Sequence, residues 1–217
     1  MTARRRSGIR ITGVLAAAVL STSVATMAED PSPQADRTGA GSANPSPRGS
    51  ATEIRAAVEA ARASMAAEDW KKAASDWAEV ERLDPAAAAA IYNLGVARYR
   101  DGDAQGAADA FERAARYGDA DLAARSMYNE GTARYAAALE SLGDDSQTSD
   151  PGAMQETIER VQRSLDHFKD ALDANQGNRD ARINAELASR LIRRLQQVQE
   201  QQQQQQQDQQ QQDQQQQ

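Results

Sequence analysis

Apolar and small residues recur at helical spacing along two adjoining runs, Ile91, Leu94, Val96 and Ala97 in the first and Ala107, Phe111 and Ala114 in the second. Between them Asp101, Gly102 and Asp103 supply a polar turn, with the glycine free to take the left-handed conformation that ends a helix. Gly95 marks a point where a neighbouring helix must come close. Residues 88–120 therefore predict a helix-turn-helix unit of about 34 residues, which cannot bury its apolar faces alone.

The pattern repeats on both sides. Thr52 is placed to cap a preceding helix carrying Ile54, Val58, Ala61 and Met65, and a second follows with Trp70, Ala73, Trp77 and Val80. A shift of about 34 residues lays Ala61 on Gly95, Ala73 on Ala107, Trp77 on Phe111 and Val80 on Ala114. Downstream, the run from Tyr128 to Tyr135 repeats the run from Tyr92 to Tyr99, keeping both tyrosines, the asparagine and the arginine. The period then breaks at a polar segment, 143–152, and resumes near Met154 with Ile158, Val161, Leu165 and Phe168. A last helix from about Asn178 presents Ile183, Leu187, Leu191, Ile192, Leu195 and Val198 on one side and Arg182, Arg190, Arg193 and Arg194 on another. The expected units are 54–87, 88–120 and 121–177, closed by a capping helix at 178–197, within one helical domain spanning 52–197. Trp70, Trp77, Phe111 and Phe168 are expected in its core.

The two ends read differently. Residues 1–28 combine Arg4, Arg5, Arg6 and Arg10 with an apolar stretch and a small-residue site at Thr26-Met27-Ala28, the form of an export signal. Residues 29–51 are rich in Pro, Gly and Ser and predict a flexible leader. The tail at 198–217 is nearly all glutamine, compatible with a prolonged helix or with disorder.

Composition narrows the chemistry. The net charge is −7, from 25 basic and 32 acidic residues. With the four arginines of the signal segment set aside, the body is more acidic still, which argues against nucleic acid as partner. The chain has no cysteine and one histidine, which removes disulfides, thiol chemistry and the usual zinc sites. His167, flanked by Asp166 and Asp170, is the one imidazole, with no accompanying nucleophile or carboxylate arrangement, and no phosphate-binding glycine loop is present. No enzymatic activity, cofactor or metal is expected.

Ile91, Leu94, Gly95, Tyr99, Ala107, Phe111 and Ala114 resemble the tetratricopeptide repeat, with Asp119 in place of its closing proline. The resemblance implies an all-α, right-handed superhelix of antiparallel helix pairs with a C-terminal capping helix. The third unit departs from the pattern at Glu130, where the repeat has leucine. A narrower resemblance joins Asp180-Ala181-Arg182-Ile183-Asn184-Ala185-Glu186-Leu187-Ala188 and the glutamine tract to the repeat proteins of bacterial aerotolerance operons, with Ile183 and Ala185 departing from the family phrase. It implies a periplasmic or envelope-associated scaffold whose partner is a von Willebrand factor A domain membrane protein.

In such a stack the first helix of each pair lines a groove. By repeat phase that side carries Glu59, Arg62, Met65, Tyr92, Asn93, Val96, Tyr99, Arg100, Arg125, Tyr128, Asn129, Thr132, Tyr135, Ile183 and Asn184. The expected peptide- or protein-binding residues are Tyr92, Asn93, Val96, Arg100, Arg125, Tyr128, Asn129, Thr132 and Asn184. Asn93, Asn129 and Asn184 share one helical position, where asparagine is a poor helix former. Either their amides hold a bound backbone, or they bond across to the next helix and order the stack. The alternative function is self-assembly through the last helix and glutamine tail.

Overall fold

The computed structural model describes residues 47–142 and 150–215. The signal segment, nearly all of the leader, most of the inserted segment at 143–152 and the last two glutamines lie outside the described residues. Within them the protein is all-α, with seven helices: α1 (Ala51–Ala66), α2 (Trp70–Leu83), α3 (Ala88–Asp101), α4 (Ala104–Tyr117), α5 (Ala120–Leu142), α6 (Pro151–Ala174) and α7 (Arg179–Gln215). Each packs chiefly on its neighbours in sequence, a stacked, solenoid-like arrangement of helix pairs. None is long and apolar enough to cross a membrane.

Short polar side chains set the helix starts by accepting the first unpaired backbone N–H groups. Asp69 accepts from Lys72 N at 3.1 Å, Asp103 from Gly106 N at 2.8 Å, Asp150 from Ala153 N at 3.0 Å and Asn178 from Ala181 N at 3.0 Å. Asp119 accepts from Leu122 N at 2.9 Å and so marks the start of α5. The first cap is Ser50, not Thr52: Ser50 Oγ accepts from Glu53 N while Ser50 N donates to Glu53 Oε2 at 2.8 Å, a reciprocal capping box. Gly102 has φ of 90° and ends α3 in the left-handed conformation. The glutamine tract continues α7 as helix to Gln215.

Equivalent contacts recur in the core of successive helix pairs. A Cβ on Gly95 would lie 2.7 Å from the Phe111 ring, and one on Gly131 would lie 2.9 Å from His167 Cβ and 3.2 Å from Phe168. Tyr92 meets Phe111 edge-on at 5.4 Å between centroids, and Tyr128 meets Phe168 at 5.9 Å in a similar tilt. Trp77 fills the corresponding place in the first pair, where its buried Nε1–H finds no acceptor among the described residues. Trp70 does not join this core. It is the first residue of α2, beside the α1–α2 turn, and stays half-buried with Arg100 lying over its ring at 5.8 Å.

The buried apolar side chains form two clusters. One runs from Val58 through α4 to Leu122 and Ala133, and the other runs from Tyr135 through α6 to Val198. α5 belongs to both, its earlier turns to the first and its later turns to the second.

Candidate functional site

α3, α5 and α7 lie in one row, α3 touching α5 and α5 touching α7. The predicted binding residues fall on this row, but most of them are inside it. Tyr92, Asn93, Val96, Asn129, Thr132 and Asn184 are buried, each 3% exposed or less. These six are therefore not a ligand-facing surface in this structure.

Hydrogen bonds between successive units engage three of the six, Tyr92, Asn129 and Asn184. Asn129 Nδ2 donates to Tyr92 Oη at 2.7 Å, and Asn184 Nδ2 donates to Tyr128 Oη at 3.1 Å. The tyrosine of one first helix thus holds the asparagine of the next. This is the stack-ordering alternative for Asn129 and Asn184, and it accounts for asparagine at a mid-helix position with low intrinsic propensity. Asn93 shows the rule by exception. The tyrosine position one unit earlier holds Val58, which has no hydroxyl to accept from the Asn93 amide nitrogen; separately, Asn93 Oδ1, an atom the other two bonds do not use, is buried without a partner among the described residues. In α7 Ile183 occupies the tyrosine position, and it is 36% exposed, with no later helix among the described residues packed on it.

Four other residues of α3 and α5, Tyr99, Arg100, Arg125 and Tyr128, form an at least partly exposed strip. Arg100 and Arg125 are exposed, and Tyr99 and Tyr128 are half-buried. Arg125 pairs with Asp121 one turn back on α5, and Arg100 covers Trp70. Burial, reinforced by Asp180, pushes the Tyr128 phenol up to about 12, so it remains a neutral hydrogen-bonding group through the physiological range. Burial likewise raises Tyr92, Tyr99 and Tyr135. Of the other groove positions, Glu59 is exposed, Arg62 and Met65 are half-buried and Tyr135 is buried.

A second polar feature lies inside the third unit. Glu130 stands where the second unit has Leu94, and His167 stands where it has Ala110. Leu94 and Ala110 are both fully buried, so the third unit exchanges an apolar pair for a polar one. Glu130 Oε1 lies 2.7 Å from Arg134 Nε and 3.4 Å from His167 Nε2, and Arg134 Nη2 reaches Glu112 on α4 at 3.2 Å. Burial acts to raise the Glu130 carboxyl, but hydrogen bonds from His167 and Arg134 outweigh it and hold the group below the usual carboxylate value. The leucine-to-glutamate departure was one sequence signal for this cluster, and the lone histidine at an alanine position was the other. Among the described residues no group of three or more His, Cys, Asp or Glu side chains is placed to hold a metal ion.

No protein-family model and no curated protein matches the sequence.

Proposed function

We propose that the protein is a non-catalytic scaffold that binds an acidic peptide or protein segment along its row of first helices. The observation that carries this reading is the strip of Arg100, Tyr99, Arg125 and Tyr128, where cations and amphipathic aromatics stand exposed or half-exposed on the same helices as the buried Tyr–Asn bonds. Two exposed arginines on one row of a chain with net charge −7 favour a carboxylate-bearing partner. Pre-organisation by those bonds lowers the ordering cost of binding.

The finer identity belongs to the same proposal: a right-handed tetratricopeptide-like superhelix, exported to the envelope, with α7 as its cap. The matched Gly95, Ala107, Phe111 and Ala114 support it. Arg98, not Tyr99, stands three residues after Gly95, where the repeat places its tyrosine, and this is a departure from the pattern. The capping role is supported by Glu186, an exposed charged residue at the position of Gly95 and Gly131, which a second helix of the pair could not approach closely. A von Willebrand factor A domain membrane protein is the specific partner that the narrower resemblance proposes.

The test is site-specific photocrosslinking in the native envelope. Photoreactive side chains at positions 100 and 125 are expected to give one shared protein adduct, while the same group at exposed Glu79 on α2 gives none. Equal labelling at all three positions would contradict the assignment of the strip.

A further inference from the structure

Helix α7 outruns the body it packs on. Its buried face ends at Val198, with Gln199 touching Gln155 of α6 at 3.5 Å, and from Gln203 to Gln215 every side chain is exposed. That free length is about 20 Å at the usual helical rise. A helix that is polar all round and touches nothing lacks the tertiary packing that supplies most helical stability.

A seam runs down the wet side of α7 at alternating spacings of three and four residues. It comprises Ile183, Leu187, Arg190, Arg194, Gln197, Gln201, Gln204 and Asp208, the last six exposed. This is the spacing by which two helices keep a common contact line. Its start is apolar and basic, its middle is glutamine and its end is acidic. Arg190 pairs with Glu186 on its own helix, while Arg194 and Asp208 make no ion pair among the described residues.

We propose that α7 associates with α7 of a second copy of this chain as an antiparallel pair, with the two-fold axis near residues 199–201. Reversing the seam about that axis brings Asp208 of each copy beside Arg190 and Arg194 of the other. It also lays the outer glutamines of each copy over exposed Ile183 and half-buried Leu187 of the other. Glutamine amides both donate and accept, so the middle of the seam is complementary to itself. A parallel pair would instead set arginine against arginine and Asp208 against Asp208. The charge order along the seam therefore selects a second, antiparallel copy as the occupant.

The experiment uses the full chain, which has no cysteine of its own. Sedimentation equilibrium is expected to give a dimer. In single-cysteine variants a short bismaleimide should join copies through Gln201→Cys near the axis and fail through Gln215→Cys, whose partners stand far apart. Asp208→Arg should weaken the dimer by about tenfold or more, since at both ends the attraction between position 208 and the other copy's two arginines becomes repulsion. Adding Arg190→Asp and Arg194→Asp to it should restore association. A monomer at all concentrations, equal crosslinking at both cysteines, or no loss with Asp208→Arg would each overturn the proposal.

Discussion

Phe168→Ala is expected to destabilise the protein by about 3–5 kcal/mol, the range for truncating a fully buried phenylalanine. Phe168 is 0% exposed, packs under Gly131 and leans on Tyr128. The cavity cannot close easily, because Gly131 already brings α5 and α6 as near as their backbones allow. The loss should also be local. Phe168 belongs to the cluster shared by α5, α6 and α7, whereas α1 to α4 pack in the other, which α5 joins through Leu122 and Ala133. In a stack whose units contact only their neighbours, opening can spread from one end. Hydrogen exchange of the variant is expected to speed up strongly in α6 and α7 and only weakly in α2 and α3. Uniform acceleration would indicate a single cooperative core.

Glu130→Ala is expected to cost about 2–3 kcal/mol at neutral pH. Removing one member of a buried charged pair leaves the others unsatisfied, and the full cost of about 3–5 kcal/mol is reduced here. Arg134 and His167 remain about one-fifth exposed, and Arg134 keeps Glu112. The effect carries a pH signature. Because the folded-state carboxyl lies below its ordinary value, Glu130 contributes its full stabilisation above the unfolded value of about 4.3. That contribution is lost as the pH falls through the lower, folded-state value. Denaturant unfolding of wild type and variant should therefore differ most near pH 7 and converge in strong acid. A gap that stays constant across that range would show that Glu130 acts through packing alone.

Much of the fold was legible because helix pairing is local. The spacing of Ile91, Leu94, Ala107 and Phe111 marks both helices and the face each buries, and Asp101-Gly102-Asp103 marks their turn. Recurrence of the pattern then pointed to further helix pairs on either side, and helices do pack there in sequence. Less was legible where one side chain must find another across units. Tyr92 and Asn129 are 37 residues apart and Tyr128 and Asn184 are 56 apart, so phase could put them on one side of their helices but not tell whether that side was covered. Trp70 was misplaced for a related reason: its size suggests core, but its position at the start of α2 leaves one face to solvent. Ser50 was within reach, since Ser50-Ala51-Thr52-Glu53 has the spacing of a capping box.

The buried asparagines change what a binding surface on this protein can be. Asn129 and Asn184 are engaged in holding one unit to the next, and the proposed partner surface is therefore the arginine and tyrosine strip rather than the asparagines. That account stands on the Tyr92–Asn129 bond being a real tie between units. It is tested most directly by a double-mutant cycle of Tyr92→Phe and Asn129→Ala, read by equilibrium unfolding, with Asn93→Ala as a comparison. The account predicts a coupling of about 1 kcal/mol between Tyr92 and Asn129, the size of a buried neutral hydrogen bond. It also predicts a smaller loss at Asn93, whose amide nitrogen has Val58 at the tyrosine position one unit earlier and so no hydroxyl there to donate to. Strictly additive losses, or a larger cost at Asn93 than at Asn129, would contradict it.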